Sequence, residues 1–378
     1  MRKVLFITGI RSDFYSQGPI IQACYKSKKI KPILIVAGAH NVNYYGKTIN
    51  DIKNQGFKID HKINNLVFQK DSTFDRIETL SRQLSGLIKI IKKEKPDIII
   101  SPFDREESIT TAIVGVYLNI PVFHLGSGDF TKFNVDGIVR GAVDKLSHIH
   151  LCSNKNSMNK LLTMGEKKNR IFTVGSTSID RYQNIKMLNN NQLKRKFKLD
   201  INKNIIIAIY HPVSNHLKSS MKEFKNLLWA LDKFDKPTII IKSNSDPGNK
   251  ELEELYYKYK FNKNSRVKFY KNIPELYFVN LLKNSKLIIG NSSMGVTESA
   301  YFNLRSINIG LRQKGRSSNK NIKFINSNKQ EILKTLTKFY FMKQKKFKDL
   351  YKSKNSTKNI VNLLEKIKIN KNLLDKNN

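Results

Sequence analysis

Short runs rich in Ile and Val recur along this chain, and between them lie stretches whose apolar residues fall near helical spacing. In the first half the runs cover 3–8, 32–37, 97–101, 121–125, 148–152 and 170–174. They are nearly continuous rather than alternating, as strands covered on both faces must be. Residues 19–26, 48–54 and 72–93 read as helices, the last opening with Ser72-Thr73-Phe74-Asp75, a capping-box form. Strand–helix–strand alternation of this kind predicts βαβ units and a parallel sheet.

The pattern then restarts. Runs at 205–210, 237–242, 266–270, 287–290 and 307–310 read as strands, with helices at 222–233 and 249–258. A polar, Lys/Asn-rich stretch at 182–204 separates the halves. The prediction is therefore α/β, with two Rossmann-like domains at 1–180 and 205–345, and a basic helix or tail at 346–378. A length of 378 residues suits two domains of the usual size.

Composition changes the picture in one respect. Against 30 Asp+Glu stand 69 Lys+Arg, a formal charge of +39. Such a surplus suits a nucleic-acid or anionic-membrane surface. Here Lys dominates over Arg, Asn is abundant and the cations are dispersed, which fits AT-biased codons and solvated charge better. No nucleic-acid-binding signature occurs, so no specific nucleic-acid partner is expected. Cys24 and Cys152 lie too far apart for a disulfide framework or zinc site, in keeping with a reducing compartment. The apolar run after Met1-Arg2-Lys3 ends at Thr8-Gly9, too soon for a signal peptide. The longest apolar stretch, 111–125, contains Asn119 and Pro121 and falls short of the ~20 residues of a membrane span.

In open parallel sheets ligands bind beyond the carboxyl ends of the strands, so the residues directly after each strand are the candidates. After the first, Thr8-Gly9-Ile10-Arg11 offers a tight turn and a guanidinium near a helix N-terminus, a grip for phosphate in an otherwise common kind of turn. Asp104 suits a general base, or equally a helix N-cap. His124-Leu125-Gly126-Ser127-Gly128-Asp129 follows the next strand, and Asp136 and Arg140 stand one helical turn apart, where an exposed ion pair is the plainer reading. His211-Pro212 ends a strand of the second half, as a phosphate partner or a satisfied core histidine. Ser243-Asn244-Ser245-Asp246-Pro247-Gly248 reads as a polar turn. The most specific run is Gly290-Asn291-Ser292-Ser293-Met294-Gly295-Val296-Thr297-Glu298. Its small residues let donors approach a diphosphate, and Glu298 can accept from a ribose diol. Gly310-Leu311-Arg312-Gln313-Lys314-Gly315-Arg316 adds three cations, as diphosphate donors or a solvated loop.

In this order the pieces resemble the UDP-N-acetylglucosamine 2-epimerase family, and within it the hydrolysing branch that serves sialic-acid-like nonulosonates. The resemblance runs from Lys3 to about Arg316 through Thr8-Gly9-x-Arg11, His40 with Gly46 and Thr48, and Asp104-Arg105. It continues through Val143-Asp144-Lys145-Leu146-Ser147-His148, Gly165-Glu166, Val174-Gly175, His211-Pro212 and the two glycine-rich runs above. It implies two Rossmann-like domains of the glycosyltransferase-B type with a central cleft for a UDP-sugar. It also implies an elimination of UDP to a glycal that water then attacks. By position, Asp104 and Asp136 match acid–base carboxylates, and Asp129 stands at a further acid. Arg11, His211, Ser292 and Ser293 match phosphate contacts, and His211 also assists departure of the nucleotide. Glu298 matches the ribose contact, while His40, Gly295, Arg312 and Arg316 complete the binding set. No metal or other cofactor is implied. A cytoplasmic homo-oligomer, dimer or tetramer, is expected.

The chain also departs from the family. Where the family reads His-x-Glu/His-Gly-Gly-Glu, Gly126 replaces a side chain that, when Glu, is among the catalytic acids, and Asp129 is one methylene short. Gly137 follows Asp136, Gly141 follows Arg140, and Ser299-Ala300-Tyr301 replaces Glu-Ala-Pro. These changes cluster at the sugar end and predict altered sugar specificity, for a 2,4-diacetamido sugar. Competing readings are a catalytically silent relative, a glycosyltransferase of the same fold, a non-hydrolysing epimerase and a basic nucleic-acid-binding protein.

Overall fold

The apolar runs become strands in the computed structural model, which describes residues 1–67, 72–183, 185–199, 201, 204–243, 245–263 and 265–376. The chain divides into two units. Met1–Phe130, Val135–Arg181 and Tyr351–Asn378 form unit 1; Thr131–Asn134 and Tyr182–Leu350 form unit 2.

Unit 1 begins β1 (Arg2–Thr8), α1 (Arg11–Lys26), β2 (Ile30–Val36), α2 (Ile49–Asn54), β3 (His61–Lys62) and α3 (Thr73–Glu94). It continues β4 (Ile98–Pro102), α4 (Glu106–Tyr117), β5 (Val122–Ser127), α5 (Val135–Leu146), β6 (Ile149–Cys152), α6 (Lys155–Thr163), β7 (Ile171–Thr173) and α7 (Thr177–Tyr182). The strands pair in the order β3-β2-β1-β4-β5-β6-β7, all parallel. β1 is central, and Val4, Leu5, Phe6 and Ile7 are wholly buried. Burial of each such side chain contributes about 1.5–3 kcal/mol. The direction of crossover reverses between β1 and β4, which makes their carboxyl ends the switch point of the sheet.

Two features differ from the sequence expectation. α1 starts at Arg11 rather than near Pro19, since Pro19 is carried inside the helix. The apolar stretch 111–125 breaks at Asn119, whose φ is 53°, into the end of α4 and the start of β5. Among the described residues no helix is long and apolar enough to cross a membrane. The start of α3 is as expected: Ser72 accepts the backbone N–H of Asp75.

Unit 2 opens with α8 (Asn190–Phe197), inside the stretch read as a polar linker. Its capping box, Asn189 with Gln192, and the buried pair Leu193 and Phe197 make it a core helix despite its lysines. There follow β8 (Ile205–Ile209), α9 (Leu217–Phe234), β9 (Thr238–Ile241), α10 (Asn249–Lys258), β10 (Val267–Tyr270) and α11 (Glu275–Lys283). Then come β11 (Ser285–Gly290), α12 (Met294–Thr297), β12 (Arg305–Ile309), β13 (Ile322–Ile325) and α13 (Lys329–Phe341). The order β10-β9-β8-β11-β12-β13 is again all parallel, with its reversal between β8 and β11.

The segment 346–378, expected as a basic helix or tail outside both domains, joins unit 1 from Tyr351 onward. α14 (Ser356–Lys366) sets Ile360, Val361 and Leu364 into the core that contains Ile20, Ile21 and Cys24 of α1. α15 (Lys371–Leu374) is held by Arg170, which donates to the carbonyls of Asn372, Leu373 and Asp375, each at 2.7 Å. Apart from Lys376, the lysines from Lys352 onward are exposed, which is why the sequence reads as solvated. Leu364→Ala, at a wholly buried position, lowers unfolding stability in urea by about 2–5 kcal/mol. A loss below about 0.5 kcal/mol, the size of a surface change, would show that the segment is no part of the core.

Candidate active site

The first turn of unit 1 is shaped by glycine. A Cβ on Gly9 would meet the Glu107 carboxyl, and one on Gly38, at φ 58°, would lie 3.1 Å from Glu107 Oε1. Glu107, at the start of α4, therefore sits over the end of β1. His40 lies in a short 3-10 turn, Gly38–Asn41, with no exposure. Its Nε2 meets Thr8 Oγ1 at 3.0 Å and its Nδ1 meets Thr48 Oγ1 at 2.7 Å. Burial pushes its pKa down to about 3, so the ring is neutral, and one donor and one acceptor suit two hydroxyls. His40 thus braces the site from beneath. Arg11 is the first residue of α1, and burial lowers its guanidinium pKa despite Tyr15 and Asp51 nearby.

Beyond β4 and at the start of α5 the acids gather. Arg140, on α5, donates to the Asp104 carboxylate and to the Gly126 carbonyl. Arg76, from α3, pairs with Glu106 and reaches Asp136 at 3.4 Å. The Asp104 and Asp136 side chains are each 16% exposed, open to solvent yet held beside an arginine. Behind them Asp13 and Glu107 are enclosed, and among the described residues no donor reaches Asp13 Oδ2 or Glu107 Oε2. Burial, and then Glu107, raises Asp13 well above the usual carboxylate range. Burial, and then Glu106, pushes Glu107 up to about 7. Glu106 goes the other way: burial opposes ionisation, but Arg76 and Arg105 outweigh it and hold its pKa low. Asp129 is buried and accepts from the Tyr351 hydroxyl at 3.3 Å, which ties it to the returning carboxyl-terminal segment.

A second buried network supports this edge. His124 and His150 face each other across β5 and β6. His124 Nδ1 is 2.5 Å from Asp144 Oδ1 and its Nε2 is 2.6 Å from the Phe103 carbonyl, directly before Asp104. Ser127 bridges Asp144 to His150, whose Nε2 meets Glu166 at 3.0 Å, and Lys376 Nζ closes the chain on Glu166 at 3.0 Å. Burial disfavours the ionised forms here, yet His124 and His150 hold the Asp144 pKa well down. Asp144 and Glu166 likewise raise that of His150.

In unit 2 the switch point between β8 and β11 is pinned by Asn291. Its side chain accepts from His211 N at 2.7 Å and donates to the His211 carbonyl at 2.8 Å. Gly290, at φ 134°, lies so close to Ile209 that no Cβ could fit. The Asn291 carbonyl accepts from Arg312 Nη1 and Gln313 Nε2, each at 3.1 Å. Asp246 sits 3.8 Å from His211 Nδ1 and 3.9 Å from Arg312 Nη2. Ser292 and Ser293, half-buried, lead into the short helix α12, where a Cβ on Gly295 would press to 2.8 Å from Ser306 Oγ. Glu298 ends that helix and accepts from the Tyr182 hydroxyl. Arg316 follows Gly315, its N–H donating to the Gln313 carbonyl at 3.3 Å.

The profile of the UDP-N-acetylglucosamine 2-epimerase family matches residues 22–365. The chain belongs to that family. It is 30% identical to a UDP-N,N'-diacetylbacillosamine 2-epimerase (hydrolyzing) of Legionella pneumophila over 100% of this chain and 99% of that one. It is also 30% identical to a GDP/UDP-N,N'-diacetylbacillosamine 2-epimerase (hydrolyzing) of Campylobacter jejuni, over 85% and 83%. The UDP-GlcNAc 2-epimerase of Neisseria meningitidis, solved bound to UDP-GlcNAc, shares the fold with a TM-score of 0.81 at 19% identity, covering 97% of this chain and 100% of that one.

Within unit 1 of this family member, Asp104 and Asp136 come to one edge beside Arg140 and Arg76, Arg11 lies near Tyr15 and Asp51, and His40 and Asp129 are enclosed. Within unit 2, His211 and Arg312 are brought together, with Ser292 and Ser293 following directly on Asn291. Sequence reasoning missed Asp13, Arg76, Glu106 and Glu107. It also took Asp246 for part of a plain loop, of which Asn244 lies outside the described residues. Glu106-Glu107 after Asp104-Arg105 was the available signal: consecutive acids at a helix start beneath a glycine turn.

Folded Glu107 keeps its proton to about pH 7, whereas an unfolded glutamate loses it near 4.5. Its contribution to stability is therefore whole below pH 4.5 and is lost as pH rises through 7. Glu107→Gln, which cannot ionise, should melt above the wild type at pH 8, with the gap shrinking toward pH 5. A gap in Tm that does not change with pH would refute the assignment.

Proposed function

We propose that this chain is a hydrolysing 2-epimerase of a UDP-activated 2-acetamido sugar, with a 2,4-diacetamido-2,4,6-trideoxy sugar as its preferred substrate. The observation that carries the reading is the pair Asp104 and Asp136, arginine-held and partly open at the carboxyl edge of a parallel sheet, in a member of this family. An arginine beside a carboxylate favours its ionised form, which can accept a proton but not donate one. One such carboxylate removes the C2 proton while the C1–O bond to UDP breaks, leaving a 2-acetamidoglycal. Water then adds across the double bond, hydroxyl to C1 and proton to C2 on the opposite face. The products are UDP and the free 2-epimerised sugar.

The departing diphosphate gains negative charge as the bond breaks, and fixed cations lower that barrier more than they help the ground state. Arg11, His211, Arg312 and Arg316 take this role, with the hydroxyls of Ser292 and Ser293. Glu298 serves the ribose. The names of the Legionella and Campylobacter relatives support both the diacetamido sugar and the hydrolysing outcome. The reading places the reaction in the cytoplasm, in keeping with the free, buried Cys24 and Cys152. It also assigns a homo-oligomer, supported by the exposed Phe74 and Ile77 of α3 and Tyr117 of α4.

The test is NMR of the reaction in deuterated water with the UDP-diacetamido-trideoxy sugar. Free UDP and a free sugar carrying deuterium at C2 are expected, and Asp104→Asn should cut kcat by roughly 10²–10⁴. UDP released only when an acceptor sugar is present would mean a glycosyltransferase. An epimer still joined to UDP would mean a non-hydrolysing enzyme. Either result overturns the reading.

A further inference from the structure

Phe103 stands immediately before Asp104 with φ at 55°. Of the other non-glycine residues described with positive φ, Asn119, Asp235, Asn303 and Asn355 are of the types that tolerate it, Lys95 and Lys198 end helices, and Lys47, at φ 45°, lies in the turn before α2. An aromatic side chain has no such reason. Its backbone is held on both sides: Phe103 N donates to the Leu125 carbonyl at 3.0 Å, and its own carbonyl accepts from His124 Nε2 at 2.6 Å and Ser108 Oγ at 3.2 Å. The protein thus maintains an aromatic residue in a conformation that glycine would take freely.

Gly126 has φ 80°, which favours glycine by itself, and the Phe103 ring fills the space beside it. A Cβ on Gly126 would lie 2.7 Å from Phe103 Cδ1 and 3.0 Å from both Phe103 Cε1 and Arg140 Nη1. The ring therefore occupies the volume that a side chain at position 126 would need. That position, where the resemblance implies Glu or His, faces Asp104 through the shared Arg140. At this edge an aromatic ring stands where the resemblance implies a polar side chain from position 126. The ring is only partly buried against the core, so part of it stays open.

We propose that Phe103 determines sugar specificity, its ring forming an apolar wall for a methyl-bearing substituent of the substrate. This inference rests on the function proposed above. A 2,4-diacetamido-2,4,6-trideoxy sugar carries two candidates, the methyl of its C4 acetamido group and the C6 methyl, where UDP-GlcNAc has hydroxyls. A hydroxyl pressed on the ring loses water and gains no partner, whereas a methyl gains apolar contact. An apolar wall of this kind discriminates by roughly 10- to 100-fold and not more.

The experiment compares kcat/KM of wild type and Phe103→Gly on three substrates: the UDP-diacetamido-trideoxy sugar, UDP-GlcNAc and UDP-2-acetamido-2,6-dideoxyglucose. Glycine suits φ 55°, so the variant keeps the fold, and thermal unfolding checks this. The expected result is a wild-type preference for the diacetamido sugar over UDP-GlcNAc that falls by about 10- to 100-fold in the variant. If the dideoxy sugar behaves like the diacetamido one, the methyl is at C6; if it behaves like UDP-GlcNAc, the acetamido methyl at C4 is the one recognised. An unchanged ratio, or equal losses on all three, overturns the proposal while leaving the 2-epimerase reading intact. Wild-type protein that releases UDP from none of them sinks both.

Discussion

Carboxylates crowded at one end of a sheet cannot all ionise, and unit 1 is organised around that constraint. Like charges in a poorly solvated site raise one another's pKa, and burial adds to the effect. Three arginines divide the group. Arg140 takes Asp104, Arg76 reaches Glu106 and Asp136, and Arg105 lies 3.6 Å from Glu106. Asp13 and Glu107 are left to hold protons instead. Glu106 and Glu107 are neighbours in sequence, yet one is held low and the other pushed up to about 7. Environments that drive adjacent acids apart are what acid–base chemistry near neutral pH requires.

Unit 2 solves a different problem with neutral groups. Neighbouring cations repel each other if nothing fixes them, and here amides do the fixing. Asn291 joins the ends of β8 and β11 through His211, and its carbonyl gathers Arg312 and Gln313. Asp246 supplies a negative charge between His211 and Arg312. Donors fixed in advance lose less on binding than donors that must be ordered by the ligand. The backbone geometry that permits this is set by Gly290, where any side chain would part the two strands.

Much of this was legible in the sequence, and the misses have physical causes. Strands covered on both faces announce themselves as apolar runs, so β1, β4, β5, β8 and β11 were found to within a residue or two. β3 and β13 were missed because one is only two residues long and the other, Ile-Lys-Phe-Ile, is interrupted by a lysine, so neither makes an apolar run. α8 and α14 are amphipathic on a background so rich in Lys and Asn that their two or three buried positions vanish in composition. His40 entered the binding set through the resemblance, which says nothing of its burial. Only the structure shows Thr8 and Thr48 closing over it. Arg76 could not have been found from sequence, since α3 meets the acids through tertiary packing alone.

The charge surplus takes on a meaning from the same geometry. A chain with 30 acids against 69 bases has few carboxylates to place, yet Asp13, Asp104, Glu106, Glu107, Asp129 and Asp136 all lie along the β1, β4 and β5 edge of unit 1. Codon bias dilutes acids evenly; it does not concentrate them. Burying them costs desolvation that the arginines only partly return, so stability alone would not keep them there. Other buried acids are instead shared among several bases, Glu253 between Lys242 and Lys271 at 2.6 Å each, and Glu166 among Lys145, His150 and Lys376. The excess of acids over partners at this one edge is what a fold retains when it must move a proton.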